Sequence, residues 1–175
     1  MQKVKYFFLL ITLVTFLFSF KPHKKAKVKW LSLAELSVAY SKNPKPIIID
    51  VYTNWCGWCK VMDKETYGNE KVAAYINENY YAVKFNAEAK DSVVLGTKKY
   101  GFNPAYNAND LAVFLLLGHM GYPTTVLLAS IDAQPAPLSG FLKPSELEPP
   151  LKFFGEGVYK DKKFPDYMKE FTAKW

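Results

Sequence analysis

The chain has 175 residues, half of them apolar and 17% aromatic, enough for one domain with a substantial core and too few for two comfortable ones. Its net charge is +7, yet all 23 basic residues are lysine; without the bidentate guanidinium fork, the charge reads as a solvated surface and nucleic acid is not expected as a partner. Two cysteines cannot staple a secreted scaffold, so the core must supply stability and the thiols are free for chemistry.

Lys3 and Lys5 precede an apolar run over residues 6–20, and Lys21-Pro22-His23-Lys24-Lys25 returns the chain to water. A basic start, an apolar run shorter than the ~20 residues that span a bilayer, and a polar exit are the features of an export signal. No Ala-x-Ala site follows, and the lysines after the run outnumber those before it, so cleavage and retention as a membrane anchor both stay open. Residues 1–20 are accordingly expected to be a signal peptide or anchor, residues 21–29 a lysine-rich tether, and residues 30–175 the folded domain.

Ser32-Leu33-Ala34-Glu35 has capping-box spacing and predicts a helix over 33–41, ended by Asn43-Pro44-Lys45-Pro46. The β-branched run Ile47-Ile48-Ile49-Asp50-Val51-Tyr52 predicts a central strand covered on both faces. Directly after it stands Trp55-Cys56-Gly57-Trp58-Cys59-Lys60, with a helix expected over 60–67, Gly68 as a break and Asn69 as the cap of the next helix. Residues 80–86 alternate as a second strand. Between 87 and 120 a hairpin around Gly96-Thr97 and a helix over 111–117, capped by Asn109 or Asn107, are expected; Tyr100, Phe102 and Tyr106 serve there either core packing or a lid or partner surface. Residues 124–129 and 138–142 read as two further strands. A helix after Pro144 is expected to break at Pro149-Pro150, and a last helix to run from Pro165 to the end. This order implies an α/β sandwich with a mixed central sheet flanked by helices.

A strand that gives way to a helix at Cys-x-x-Cys sets one sulfur among unpaired N–H groups at the positive end of the helix dipole, which favours the thiolate. On this reading Cys56 attacks a disulfide, and Cys59, one turn on and better shielded, resolves the mixed disulfide. Asp50 is a carboxylate inside an apolar strand: desolvation raises its pKa and suits it to carry the proton of Cys59, while the plainer reading is an aspartate satisfied by backbone or by a lysine. Gly121-Tyr122-Pro123-Thr124 offers either a cis-proline turn with backbone groups free to meet an extended peptide, or an ordinary trans proline at a strand start. His23 and His119 are the two imidazoles, too scattered to complete a zinc site, so no metal is expected. His119 either touches substrate or closes a helix end, and Lys60 either supports the thiolate or is simply solvated.

Asp50 standing six residues before Cys56-Gly57-Trp58-Cys59-Lys60, with Gly121-Tyr122-Pro123-Thr124 downstream, resembles the thioredoxin superfamily. The longer stretch from Asp50 to Tyr67 is similar to the C-terminal domain of bacterial transmembrane thiol–disulfide interchange reductases and to related exported thioredoxin-like proteins. The resemblance implies a thioredoxin-like sandwich; the stretch over 87–120 before the cis-proline strand departs from it, being longer than the family's usual connection, and is expected to be an insertion. The resemblance also implies thiol–disulfide exchange with protein thiols or disulfides and a redox partner protein, in the periplasm, without metal or organic cofactor. By it, Cys56 is the nucleophile, Cys59 the resolving thiol, Asp50 the buried acid, and Trp55, Gly57, Trp58, Tyr122 and Pro123 face the substrate. Gly57-Trp58 carries no charge to hold the thiolate, which leans the couple toward reduction. The other reading of the same residues is a non-catalytic binding or chaperone-like module with a permanent Cys56–Cys59 disulfide.

Overall fold

The computed structural model describes residues 26–175; the expected signal or anchor over residues 1–20 lies outside them, as do residues 21–25 of the tether. In chain order the elements are β1 (Trp30–Leu31), α1 (Leu33–Lys42), β2 (Ile47–Tyr52), α2 (Gly57–Glu65), α3 (Glu70–Asn79), β3 (Tyr81–Asn86), β4 (Val93–Leu95), β5 (Lys98–Tyr100), β6 (Phe102–Asn103), β7 (Ala108–Asn109), α4 (Asp110–Leu115), β8 (Thr124–Leu128), β9 (Ala136–Ser139), α5 (Pro144–Gly155), a 3-10 turn at Val158–Lys160, and α6 (Phe164–Glu170).

β2 lies at the centre of a five-stranded sheet ordered β1-β3-β2-β8-β9. It pairs in parallel with β3 and antiparallel with β8, so the sheet is mixed, and its residues from Ile47 to Val51 are buried because both edges and both faces are covered. Alternation divides the strand between two cores. Ile47, Ile49 and Val51 join Leu36 of α1 and Leu111 and Leu115 of α4. Ile48 joins Met62 of α2, Val72 and Ile76 of α3, and Leu147 and Leu151 of α5. Asp50 shares the parity of Ile48 and therefore falls on the α2 face.

Local signals start the helices where the side chains can cap them. Ser32 and Glu35 close the capping box of α1, and Asn69 accepts from the N–H groups of Lys71 and Val72 to open α3. α2 begins at Gly57, ahead of the expected start, because Cys56 itself is its N-cap. The segment from 87 to 120 is the expected insertion, made of two small antiparallel pairs and α4. Asn109 is the cap: its Oδ1 accepts the Leu111 N–H at 3.0 Å while its Nδ2 donates to the carbonyls of Ala89 and Asp91 at 3.1 and 3.0 Å. One buried amide thus ties the start of the insertion to its helix. Tyr100 stacks on Phe114 with ring centres 5.8 Å apart, Phe102 lies under the Lys90 ammonium, and Tyr106 is exposed.

Four features depart from the local expectations. β1 is an unforeseen edge strand, too short to carry a sequence pattern and formed by pairing with Ala82 and Val83. β9 runs Ala136–Ser139, not 138–142, because Gly140 takes a left-handed φ of 91° and turns the chain away. α5 passes unbroken through Pro149-Pro150. Each internal proline disfavours the helix by about 3 kcal/mol, but Leu147 through Leu151 are all buried, and packing overrides the local preference. α6 ends at Glu170 because Glu148 holds the tail beyond it.

Glu148, fully buried in α5, accepts from Lys152 Nζ at 2.7 Å and from the main-chain N–H groups of Lys174 and Trp175 at 2.6 and 3.0 Å. Lys71 Nζ donates to the Lys174 carbonyl, and the Trp175 ring leans on Tyr75 at 5.4 Å. Burial pushes the Glu148 carboxyl up, but these donors outweigh it and hold the group below its ordinary 4.5. Its stabilising contribution is therefore complete above that value and lost as the pH falls through the lowered one. Glu148→Ala is expected to lower stability by about 2–4 kcal/mol near neutral pH, with the deficit shrinking in acid. Urea unfolding at several pH values measures this, and an unchanged midpoint would show that the clamp contributes nothing.

Candidate active site

β2 ends at Tyr52, and a tight turn, with Cys56 N–H donating to the Thr53 carbonyl at 3.2 Å, brings the chain to the first turn of α2. Cys56 and Cys59 are joined by a disulfide, with Cα atoms 5.4 Å apart. Cys56 Sγ accepts the Cys59 N–H at 3.1 Å, so the sulfur replaces the side-chain oxygen of an ordinary N-cap and receives a main-chain donor at the positive end of the helix. In the disulfide the two residues are almost equally shielded, Cys59 at 3% and Cys56 at 4% exposed, since each bonded sulfur covers the other. Position at the cap, not access, is what distinguishes Cys56.

Asp50 is buried one row before the end of β2, opposite Lys84 of β3 and Thr125 of β8. Its Oδ2 lies 3.1 Å from Lys84 Nζ, an ion pair whose angles are not those of a hydrogen bond. Lys84 also pairs with Asp63 on α2, and its ammonium stands 4.9 and 5.7 Å from the ring centres of Tyr52 and Trp30. Thr125 is occupied by Tyr67 Oη at 2.8 Å. Burial raises the Asp50 carboxyl to about 6; the Lys84 charge pulls it down without cancelling that effect, and Asp63 adds to it. Burial opposes the charge on Lys84 as well, yet the two carboxylates hold its ammonium above the ordinary value.

Val51 pairs with Thr124, so Pro123 comes level with the end of β2 and the start of the cysteine turn. The Tyr122–Pro123 bond is cis. Tyr122 meets Trp55 edge to face at 5.9 Å, and Trp55 Nε1 donates to Glu88 Oε1 at 3.1 Å. Trp58 tilts against Phe141 at 5.7 Å. Both tryptophans are largely exposed, and Gly57 between them opens onto free space. Lys60 and His119 are exposed. The structure thus gathers Asp50, Trp55, Cys56, Gly57, Trp58, Cys59, Tyr122 and Pro123 at one end of the sheet. Sequence reasoning missed Lys84, Asp63, Glu88 and Phe141. A lysine in the apolar strand over 80–86 was a visible signal for the first of these; the others depend on tertiary neighbours.

The family described as "Protein of unknown function, DUF255" (Thioredox_DsbH) matches residues 16–148. The chain belongs to this family. An uncharacterized protein of Caenorhabditis elegans, B0495.5, is 31% identical over 107 residues, which make up 61% of this chain and 13% of that protein; the chain thus spans a small part of that relative's length. A solved thioredoxin-fold protein from Helicobacter pylori is similar with a TM-score of 0.56 and 20% identity, covering 73% of this chain and 80% of that one. A DsbH oxidoreductase is similar with a TM-score of 0.54 and 15% identity, covering 79% and 91%. These likenesses establish the fold, which is that of the thioredoxin superfamily. A DUF255 domain of this fold, with a Cys-x-x-Cys pair at disulfide distance, has the parts of a thiol–disulfide exchange centre.

The buried acid makes a prediction that needs no substrate. A carboxyl at 3.8 in the unfolded chain and about 6 in the fold binds more protons in the native state between those values, so stability falls as the pH rises through that window. The deficit above it is about 3 kcal/mol. Asp50→Asn in the oxidised protein is expected to be more stable than wild type at pH 8 by up to that amount and to show no gain at pH 4. Paired urea titrations at the two pH values check this, and a gain of equal size at both would detach the effect from ionisation.

Proposed function

We propose that this chain is an exported thiol–disulfide oxidoreductase that reduces disulfides of protein substrates through a mixed disulfide at Cys56. The observation that carries the reading is the cysteine pair at the N-terminus of α2, with Cys56 Sγ receiving the Cys59 N–H. In the dithiol form the Cys56 thiolate attacks one sulfur of a substrate disulfide; a Cys56–substrate bond forms, and the other substrate sulfur leaves as a thiolate and takes a proton. Cys59 then loses its proton and attacks Cys56 Sγ, closing the intramolecular disulfide and expelling the second substrate thiolate. Two electrons and two protons pass to the substrate, and a dithiol partner protein restores the Cys56–Cys59 dithiol.

Asp50 is the acceptor of the Cys59 proton. It faces α2 from β2, and with a pKa of about 6 it is mostly ionised at neutral pH yet close enough to its titration to return the proton. Trp55, Gly57, Trp58, Tyr122 and Pro123 meet the substrate. The absence of a charged side chain between the cysteines supports the reducing direction, and the similarity to a DsbH oxidoreductase supports the reaction class. The apolar stretch over residues 6–20 supports export to the periplasm, either with cleavage or with that stretch as a membrane anchor.

Reduction of a model disulfide protein by the pre-reduced chain tests the reading. Cys56→Ser is expected to abolish turnover, and Cys59→Ser to accumulate a mixed disulfide visible on a non-reducing gel. Asp50→Asn is expected to slow resolution about tenfold or more, and to remove the rise in rate that wild type has as the pH passes about 6. A Cys56→Ser variant as active as wild type, or a pair that resists reduction by dithiols, would leave the permanent disulfide of a binding module as the better account.

A further inference from the structure

The row of charges that begins at buried Asp50 reaches water through Lys84 and Asp63, and it does so in a cleft of about 500 Å³. Asp63 of α2 and Lys84 of β3 line that cleft together with Ala26, Lys27 and Val28, the described end of the lysine-rich tether. These tether residues are not loose. Asn77 on α3 accepts the Lys29 N–H on its Oδ1 and donates from its Nδ2 to the Lys27 carbonyl, both at 2.8 Å, so one side-chain amide grips the main chain twice, much as a neighbouring strand would. Val28 packs on the α2-side core. Trp30 meets Tyr67 edge to face at 5.0 Å, with the Lys84 ammonium 5.7 Å from its own ring centre. Residues 26–29 thereby form a strap along one wall of the cleft, fastened at α3 and continuous with edge strand β1.

We propose that Asn77 is a positioning residue for the exchange reaction: by fastening this strap beside Lys84 and Asp63 it limits the water that reaches Asp50, and so governs how readily Asp50 holds the Cys59 proton. The role in resolution rests on the proposed exchange activity; the hold of the strap on the acid does not. Burial is the largest influence on the Asp50 carboxyl and raises it to about 6, against the pull of Lys84. Water admitted along the strap solvates the carboxylate and also weakens the attraction of Lys84, but because burial is the larger influence the carboxyl moves down, toward 3.8. The ionisable groups that face Asp50 are Lys84 from β3, Asp63 and Cys59 from α2, and Tyr67 beyond α2, while β8 sets the neutral Thr125 opposite. Neither asparagine nor alanine carries a charge, so a shift in Asn77→Ala reports solvent and not a lost Coulomb partner. Lys27, the strap's own cation, is exposed, and its departure would act in the opposite direction.

The test uses the full chain, oxidised, as wild type, as Asn77→Ala and as the double variant Asn77→Ala with Val28→Ser. Infrared difference spectra against the same backgrounds carrying Asp50→Asn follow the carboxyl. Wild type is expected to titrate at about 6, and both variants about one pH unit lower. Hydrogen exchange at the Lys29 amide, expected to quicken about tenfold or more, reads the release of the strap. In the dithiol form, the rise in resolution rate is expected to move down by the same interval. A midpoint that stays with wild type while the Lys29 amide exchanges freely overturns the inference. So does an amide that exchanges as slowly in both variants as in wild type, because Asn77 then does not hold the strap. A midpoint that shifts in a protein unable to reduce a model disulfide protein leaves the strap's hold on the acid standing and overturns the exchange reading, with the role in resolution built on it.

Discussion

The site depends on the register of β2 between β3 and β8. With Asp50 opposite Lys84 on one side and Thr125 on the other, the acid faces α2 and finds a cation. The same pairing sets Pro123 level with the end of the strand, where the chain turns toward Cys56. A slip of one residue would send Asp50 into the core under α1 and α4, which holds aliphatic and aromatic side chains, and would move Lys84 and the cysteine helix to the wrong side of the acid. Ile47, Ile48, Ile49 and Val51 suit either core, so Asp50, with Lys84 opposite it, is the residue of β2 that opposes the slip.

Lys84 makes the buried acid tolerable without making it an ordinary carboxylate. Side-chain exposure rises along the row from 2% at Asp50 to 25% at Lys84 and 41% at Asp63, so the ammonium spans the boundary between core and solvent. Asp63 draws that ammonium outward while Asp50 draws it inward, and the rings of Tyr52 and Trp30 limit where it can stand. A cation shared in this way compensates only part of the desolvation of Asp50. A tighter, exclusive pair would hold the carboxyl further below its value of about 6 and, on the proposed reading, make it a poorer carrier of a proton near neutral pH.

Much of this was legible in the residues. Ser32-Leu33-Ala34-Glu35 and Asn69 announced helix starts through bonds made within three residues, and the run from Ile47 to Tyr52 announced a doubly covered strand by composition alone. The cysteines, Asp50 and the Tyr122-Pro123 turn were equally local. Illegible were features decided by distant parts of the chain: the passage of α5 through Pro149-Pro150, the tail captured by Glu148, and the two-residue β1. Lys84 lies between these cases. A lysine within Tyr80-Tyr81-Ala82-Val83-Lys84-Phe85-Asn86 was visible as an oddity, but its pairing with Asp50 requires the β2–β3 register. Phe141 was hidden within a stretch read as strand, and only the turn at Gly140 turns it toward Trp58.

On the proposed reading, the sulfur chemistry and the aromatic rim beside it belong to different parts of the sheet. The reacting sulfur, its helix terminus and the buried acid all descend from β2 and the segment that follows it. The aromatic contacts come from Tyr122, just before β8, and Phe141, just after β9; β8 pairs with β2 and β9 with β8, and the two rings touch the tryptophans of the cysteine loop. Changes at Tyr122 or Phe141 touch the rings beside Trp55 and Trp58 and leave the row of charges through Asp50, Lys84 and Asp63 in place, while changes in that row leave the ring contacts in place. The division follows from the geometry of a strand with two differently paired neighbours: the parallel side supplies the cation, and the antiparallel side, with its two ends folded back together, supplies the rim.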